Sequence, residues 1–193
     1  MANWFKVTRK SLLIALLLCL FRYADSQNEN HELLTLNKGV RAIRLITPAS
    51  PSCQGYGVNS LVDGLTGSAD SKDKQWMGWE GTDFEALVDL GENRKIHSLG
   101  LEVLQQPASR IFLPSLVEFF ASADSRTFSK IATYNPAEVD DIRRDGPVLL
   151  ARILDEVNTR YLKIKAINMG TCPAGLAGEG QKAWLFVSEI EIK

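Results

Sequence analysis

The sequence has little of the equipment that catalysis needs. Two histidines, His31 and His97, occur in 193 residues. Neither sits in a motif with a serine or cysteine nucleophile. There is no G-x-S-x-G, no H-E-x-x-H and no glycine-rich phosphate loop. The adjacent acids Asp140 and Asp141 stand beside Arg143 and Arg144, which reads as a solvated face. A glycosidase needs two carboxylates facing each other across a sugar-sized gap, and no such pair is marked. An excess of positive charge is also missing: 22 basic residues meet 23 acidic ones, for a net charge of −1. Nucleic acids and anionic membranes are bound through clustered Lys and Arg, so neither is an expected partner. After residue 26 the chain has no N-x-S/T acceptor, no second long apolar run, and only two of its three cysteines. Helical periodicity nowhere exceeds a turn or two, although residues 136–144 leave room for a short helix.

The one long apolar run opens the chain. Lys6, Arg9 and Lys10 precede SLLIALLLCLF at 11–21, and Ala24-Asp25-Ser26 puts small residues where a signal peptidase cuts. The run is shorter than the roughly 20 residues that span a bilayer. Residues 1–26 are therefore expected to be a signal peptide, and the mature chain to be secreted, periplasmic or held at the cell surface. Residues 27–39 form a polar leader. Residues 40–193 are of a length that forms one domain.

From Val40 onward, apolar residues alternate with polar ones. VRAIRLIT, FEALVDLG, HSLGLEV, LVEFFASAD, RYLKIKAIN and WLFVSEIEI each read as a half-buried strand. In the last, Trp184, Phe186, Ser188, Ile190 and Ile192 share one face, with Glu189 and Glu191 opposite. Turn signals at Pro48, Pro51, Gly55, Gly57, Gly64, Gly67, Gly91, Pro107, 145–147 and 170–180 separate the runs. The pattern predicts an all-β fold, an antiparallel β-sandwich with long loops. Cys53 and Cys172 make an even pair in an exported chain. They are expected either to form a disulfide, worth about 4–5 kcal/mol in the chain-entropy model, or to remain as two buried thiols.

The segment NSLVDGLTGS, residues 59–68, brings an acid, two glycines and a hydroxyl close together, and Glu189 offers a carboxylate from the final strand. One reading is a loop folded around a hard cation. The other is a turn in which Asp63 caps local N–H groups and Glu189 is a solvated strand residue.

Four segments carry a family resemblance: SLVDG, WMGWEGTDFEALVDLG, VEFFASADSRTF and RYLKIKAINMGTCPAGLAGEGQKAWLFVSEIEI. They resemble the coagulation factor 5/8 type C, or discoidin, domain and its sugar-binding relatives, carbohydrate-binding module family 32. GTCP, GQKAW and FVSEI are similar to the C-terminal module of bacterial family 20 β-hexosaminidases, whose catalytic barrel is absent here. Ser125 stands where the family usually has glycine in a turn, which disfavours a type I′ turn.

The resemblance implies a jelly-roll, galactose-binding-like sandwich and a structural Ca²⁺. Its ligands would come from Ser60, Asp63, Leu65, Ser68, Ser188 and Glu189, a mix of carboxylate, hydroxyl and carbonyl oxygens that suits this ion. It also implies a glycan partner with galactose or N-acetylhexosamine ends. Trp76, Gln105, Arg110, Phe112 and Trp184 are the candidate contacts, since an aromatic stacks on a sugar ring while polar groups fix its orientation. The loop at 170–180 reads as long and flexible. The expected activity is non-catalytic glycan binding. The alternatives are a protein-interaction or adhesion module, and an accessory module detached from a β-hexosaminidase that would then be a partner.

Overall fold

Period-2 alternation yields seven strands among the residues that a computed structural model describes, 39–136 and 145–193. The expected signal peptide, His31 and most of the polar leader lie outside the described residues, as does most of the expected short helix with its acidic and basic pairs. The strands are β1 (Ala42–Leu45), β2 (Met77–Glu80), β3 (Phe84–Gln105), β4 (Leu116–Ser122), β5 (Ser129–Tyr134), β6 (Gly146–Ile167) and β7 (Trp184–Ile192). They pair antiparallel in the order β2-β7-β3-β6-β4-β5, with β1 also on β3. No helix among these residues is long and apolar enough to cross a membrane.

One irregular ladder makes the sandwich. β3 and β6 are each 22 residues long, and their register slips between Asp89 and Arg94 and again between Ile96 and Ser98. Extra unpaired residues bend a strand and sharpen its twist. The first arm of β3 pairs with β1 and with the last arm of β6, which carries β4 and then β5. The second arm of β3 pairs with the first arm of β6 and with β7, which carries β2. The two ends of one ladder therefore supply the two layers. The sequence divides β3 into separate strands at Gly91; the chain runs through. The turn expected at 145–147 instead opens β6, where Pro147 faces Leu104. Proline is tolerated there because this arm of β6 is an edge and needs no N–H on its free side.

Phe84, Ala86 and Val88 point inward from one layer and meet Leu101, Val103, Leu185, Val187 and Ile190 of the other in a single apolar core. Trp79 packs edge-on against Phe84 at 4.9 Å. The opposite face of the first layer is ionic: Arg160 forks onto Asp89 through bonds of 2.8 and 3.0 Å. That partner holds the Asp89 carboxyl below its usual range. The predicted antiparallel β-sandwich is the fold of this chain.

Candidate functional site

A bulge in β7 sets up the site. Leu101 pairs with Ile190 and Glu102 with Glu189, but Val103 pairs with Val187, so Ser188 is the extra residue. The insertion reverses the inside-outside phase of the strand. After it, Ile190 faces the core; before it, Leu185 and Val187 do. Trp184 and Phe186 are thereby turned out of the main core, into a second apolar cluster with Trp76, Leu104 and Ile111. The face predicted to hold Trp184, Phe186, Ser188, Ile190 and Ile192 together does not exist. Alternation broke at a residue whose hydroxyl found a carboxylate: Ser188 Oγ donates to Glu102 Oε2 at 3.2 Å. The outer face of β7 thus carries aromatics at one end and acids at the other.

The segment at 59–68 covers the acidic end. A short 3-10 helix, Val58–Val62, buries Leu61 and Val62 in the core, and the chain then turns at Gly64, with φ of +81°. Gly64 N–H donates to Glu189 Oε2 at 3.2 Å. Glu189 is only 2 % exposed, and its other oxygen, Oε1, has no hydrogen-bond partner. Burial, with Asp63 and Glu102 close by, pushes its carboxyl up to about 8. Asp63 Oδ1 accepts the Leu65 N–H at 2.8 Å. Gln75 Nε2 reaches both Asp63 oxygens, at 3.4 and 3.5 Å, and the Leu65 carbonyl at 3.3 Å. Ser68 lies further along: its carbonyl accepts the Trp76 indole N–H at 2.9 Å and its own N–H reaches Asp73 at 2.9 Å. Ser60 Oγ is spent on the Gly57 carbonyl at 2.8 Å.

The donor chemistry here fits a hard cation. A buried carboxylate with an orphaned oxygen beside a second carboxylate is a site that positive charge would relieve. The Asp63 carboxylate and Leu65 carbonyl converge on a neutral amide, Gln75, which sequence reasoning missed. Among the described residues no three His, Cys, Asp or Glu side chains gather at one point. A cation would accordingly depend on carbonyl oxygens as well as Asp63 and Glu189, and the hydroxyls of Ser60 and Ser188 are committed elsewhere.

The aromatic end opens into a cleft of about 470 Å³. Residues 52–55 and 71–74 line its sides, and Trp76, Trp184 and Phe186 its base. Trp184 meets Phe186 edge-on at 5.7 Å. Gly78, opposite Phe186 in the ladder, leaves the room: a Cβ there would lie 2.7 Å from the Phe186 ring and 2.9 Å from Cys53 Sγ. Gly67 joins the two ends of the site, because it lies flat on Trp76, where a Cβ would come within 2.3 Å of the indole. Tyr56, exposed beside Gly55, ties one side to the other through its N–H to the Lys74 carbonyl at 2.9 Å. An aromatic between two glycines in a loop was the available signal for it, and the K-D-K run was the signal for 72–74.

Of the candidate glycan contacts, only Trp184 and Trp76 line this cleft, and Trp76 is 1 % exposed. Gln105 and Phe112, each 1 % exposed, are interior. Phe112 sits with Cys172 and Ala183 under the 170–180 loop. Arg110 is a brace. At φ of 62° it hands its guanidinium to Gln181 at 3.1 Å, the Lys182 carbonyl at 3.4 Å and Glu80 at 3.7 Å. The 170–180 loop is knitted by Cys172 N–H to Gln181, Gly180 N–H to Cys172 and Ala183 N–H to Gly170, at 2.8 to 3.1 Å. The expected disulfide is not formed. Cys53 and Cys172 are both free and belong to different clusters, Cys53 with Trp76 and Phe186 and Cys172 with Phe112. Burial pushes the Cys53 thiol up.

No family model matches the sequence, and no curated protein is similar to it. Solved structures are. The chain is similar to CBM32-3, a family 32 carbohydrate-binding module from a family 31 glycoside hydrolase of Clostridium perfringens. The match has 14 % identity, 80 % of this chain, 90 % of that one and a TM-score of 0.51. It shares the fold of that module. CBM32-1 from a family 31 glycoside hydrolase of the same organism aligns at 18 % identity over 80 % of this chain and 96 % of that one, with a TM-score of 0.48. CpGH89CBM32-5, also from C. perfringens and seen with GalNAc-β-1,3-galactose, aligns at 14 % over 78 % and 94 %, with a TM-score of 0.49. The likeness is one of fold, on which different sites can be built.

Proposed function

We propose that the chain is an exported, non-catalytic module that binds a glycan in the cleft before Trp184. The cleft carries the reading. It is concave, has an aromatic base for the apolar face of a sugar ring, and has hydroxyl, amide and ammonium groups along its sides to choose among ring hydroxyls. A structural Ca²⁺ belongs to the same proposal: Asp63, the Leu65 carbonyl and Glu189 would hold it, and the ion would neutralise the buried carboxylates. Gly67 on Trp76 and Ser68 on Asp73 would transmit that order to the cleft. Galactose or N-acetylhexosamine ends are the proposed epitope, at millimolar to micromolar Kd, about −4 to −8 kcal/mol.

A glycan array, read with Ca²⁺ and with EDTA, tests this. The expected result is a glycan signal that weakens in EDTA and is lost in Trp184→Ala. A folded protein that binds no glycan would end the reading. A protein-interaction module is the second reading, favoured by Leu149 and Ile153, 44 % and 90 % exposed on the edge arm of β6; retention of a protein and not a glycan would establish it. A β-hexosaminidase encoded alongside would point to the detached accessory module.

A further inference from the structure

We propose that the glycan taken by this cleft is anionic, its charge carried by a uronate carboxylate or a sulfate ester. The inference rests on the glycan-binding reading above and narrows it. Three charged side chains line the cleft: Lys72, Asp73 and Lys74. Asp73 is turned back into its own loop. Its Oδ2 accepts the Ser68 N–H at 2.9 Å and its Oδ1 the Gln75 N–H at 3.0 Å. These backbone donors, Gln75 foremost, hold its carboxyl below the usual range. The lysines are left differently. Both are exposed, and among the described residues neither forms an ion pair. Five other lysines are matched: Lys95 to Glu156, Lys130 to Glu118, Lys163 to Glu85, Lys165 to Asp83 and Lys193 to Glu191, all within 4 Å; the exposed Lys182, which does not line the cleft, shares the lack of an ion pair.

The backbone under the two lysines is fixed. Lys72 N–H bonds Asp70 Oδ1 at 2.9 Å, Asp73 N–H bonds the Asp70 carbonyl at 3.0 Å, and the Lys74 carbonyl accepts Tyr56 N–H at 2.9 Å. Two ammonium groups without partners, on an ordered loop beside an aromatic base, form a positive opening in a chain of net charge −1. An ammonium is a point charge on a flexible stem, so it attracts a carboxylate or a sulfate without demanding a bidentate fit.

Isothermal titration of the full chain with three trisaccharides separates the outcomes: trigalacturonate, a sulfated galactotriose and neutral galactotriose. An exposed ion pair is worth about 0.2–1 kcal/mol, so two give roughly a two- to thirtyfold advantage to an anionic sugar at 0.1 M salt. That advantage should vanish in Lys72→Gln/Lys74→Gln. It should also vanish at 1 M NaCl, where the Debye length falls from about 10 to about 3 Å. Preference for trigalacturonate or for the sulfated sugar identifies the source of charge. Equal affinity for all three sugars, unchanged by the double substitution, overturns the inference while leaving a glycan module standing. Binding of none of them by folded protein overturns the inference, and the absence of any glycan signal on the array would overturn the glycan module as well.

Discussion

Replacing Glu189 with glutamine tests the acidic end of the site most sharply. The amide keeps the shape and cannot ionise. In the folded chain burial raises the Glu189 carboxyl from 4.5 to about 8, while in the unfolded chain it titrates near its ordinary value. Each pH unit between those values is about 1.4 kcal/mol, so ionising Glu189 inside the fold costs at most about 4–5 kcal/mol. The sign follows from linkage. A group whose folded pKa is raised contributes its stability in full below the unfolded value, and that contribution drains away as pH rises toward 8. In EDTA, wild-type protein should therefore lose several kcal/mol between pH 5 and pH 8.5 that Glu189→Gln retains. Urea denaturation followed by tryptophan fluorescence at each pH measures both curves. Added Ca²⁺ should restore wild type at pH 8, by about 2.7 kcal/mol at a hundredfold excess over Kd, and should help the variant much less. Parallel curves for the two proteins in EDTA would refute the buried-carboxylate argument; Ca²⁺ effects of equal size on both would refute the ligand assignment.

Two further substitutions probe the geometry. Ser125 adopts φ of 60°, held by Asp124 Oδ1, which accepts the N–H groups of Arg126 and Thr127 at 2.9 and 3.0 Å. A left-handed backbone costs a residue with a Cβ about 1–2 kcal/mol, and glycine gives back roughly 0.5–1 kcal/mol in lost unfolded-state freedom, so Ser125→Gly should stabilise the chain by about 0.5–1 kcal/mol in urea denaturation; destabilisation would show that the turn is not strained. Gly67→Ala puts a methyl into the Trp76 indole and should cost about 1–3 kcal/mol, with a change in near-ultraviolet circular dichroism and weaker glycan binding. An unchanged spectrum would mean that Gly67 does not touch the ring.

The sandwich was legible because its inward positions obey period 2: Phe84, Ala86, Val88 and Leu162, Ile164, Ala166 are buried as the alternation requires. What was not legible depended on irregularities. The bulge at Ser188 moved Trp184 and Phe186 to the other face from Ile190, and no local pattern announces an extra residue whose partner, Glu102, is 86 positions away. The bend that makes one strand of 84–105 is set by a register slip, which sequence read as a turn. The type I′ turn that Ser125 was expected to disfavour does not form: Ser125 is left-handed, but neither Asp124 nor Arg126 is. Trp76, Gln105 and Phe112 have residue types that suit a sugar site, but type does not reveal burial. Gln75 stands outside every motif, and the K-D-K run at 72–74 gains a role only when Trp184 is placed beside it.

The central claim is that a glycan sits in the cleft on the outer face of β7. Chemical-shift mapping of the ¹⁵N-labelled chain, titrated with a sugar that binds it, tests this directly. The account predicts that the Trp184 indole N–H and the amides of 52–56 and 71–74 move together and saturate at one Kd, while those of the 149–153 edge stay still. Shifts confined to the edge arm of β6, or to the 170–180 loop, with Trp184 unmoved, would contradict it.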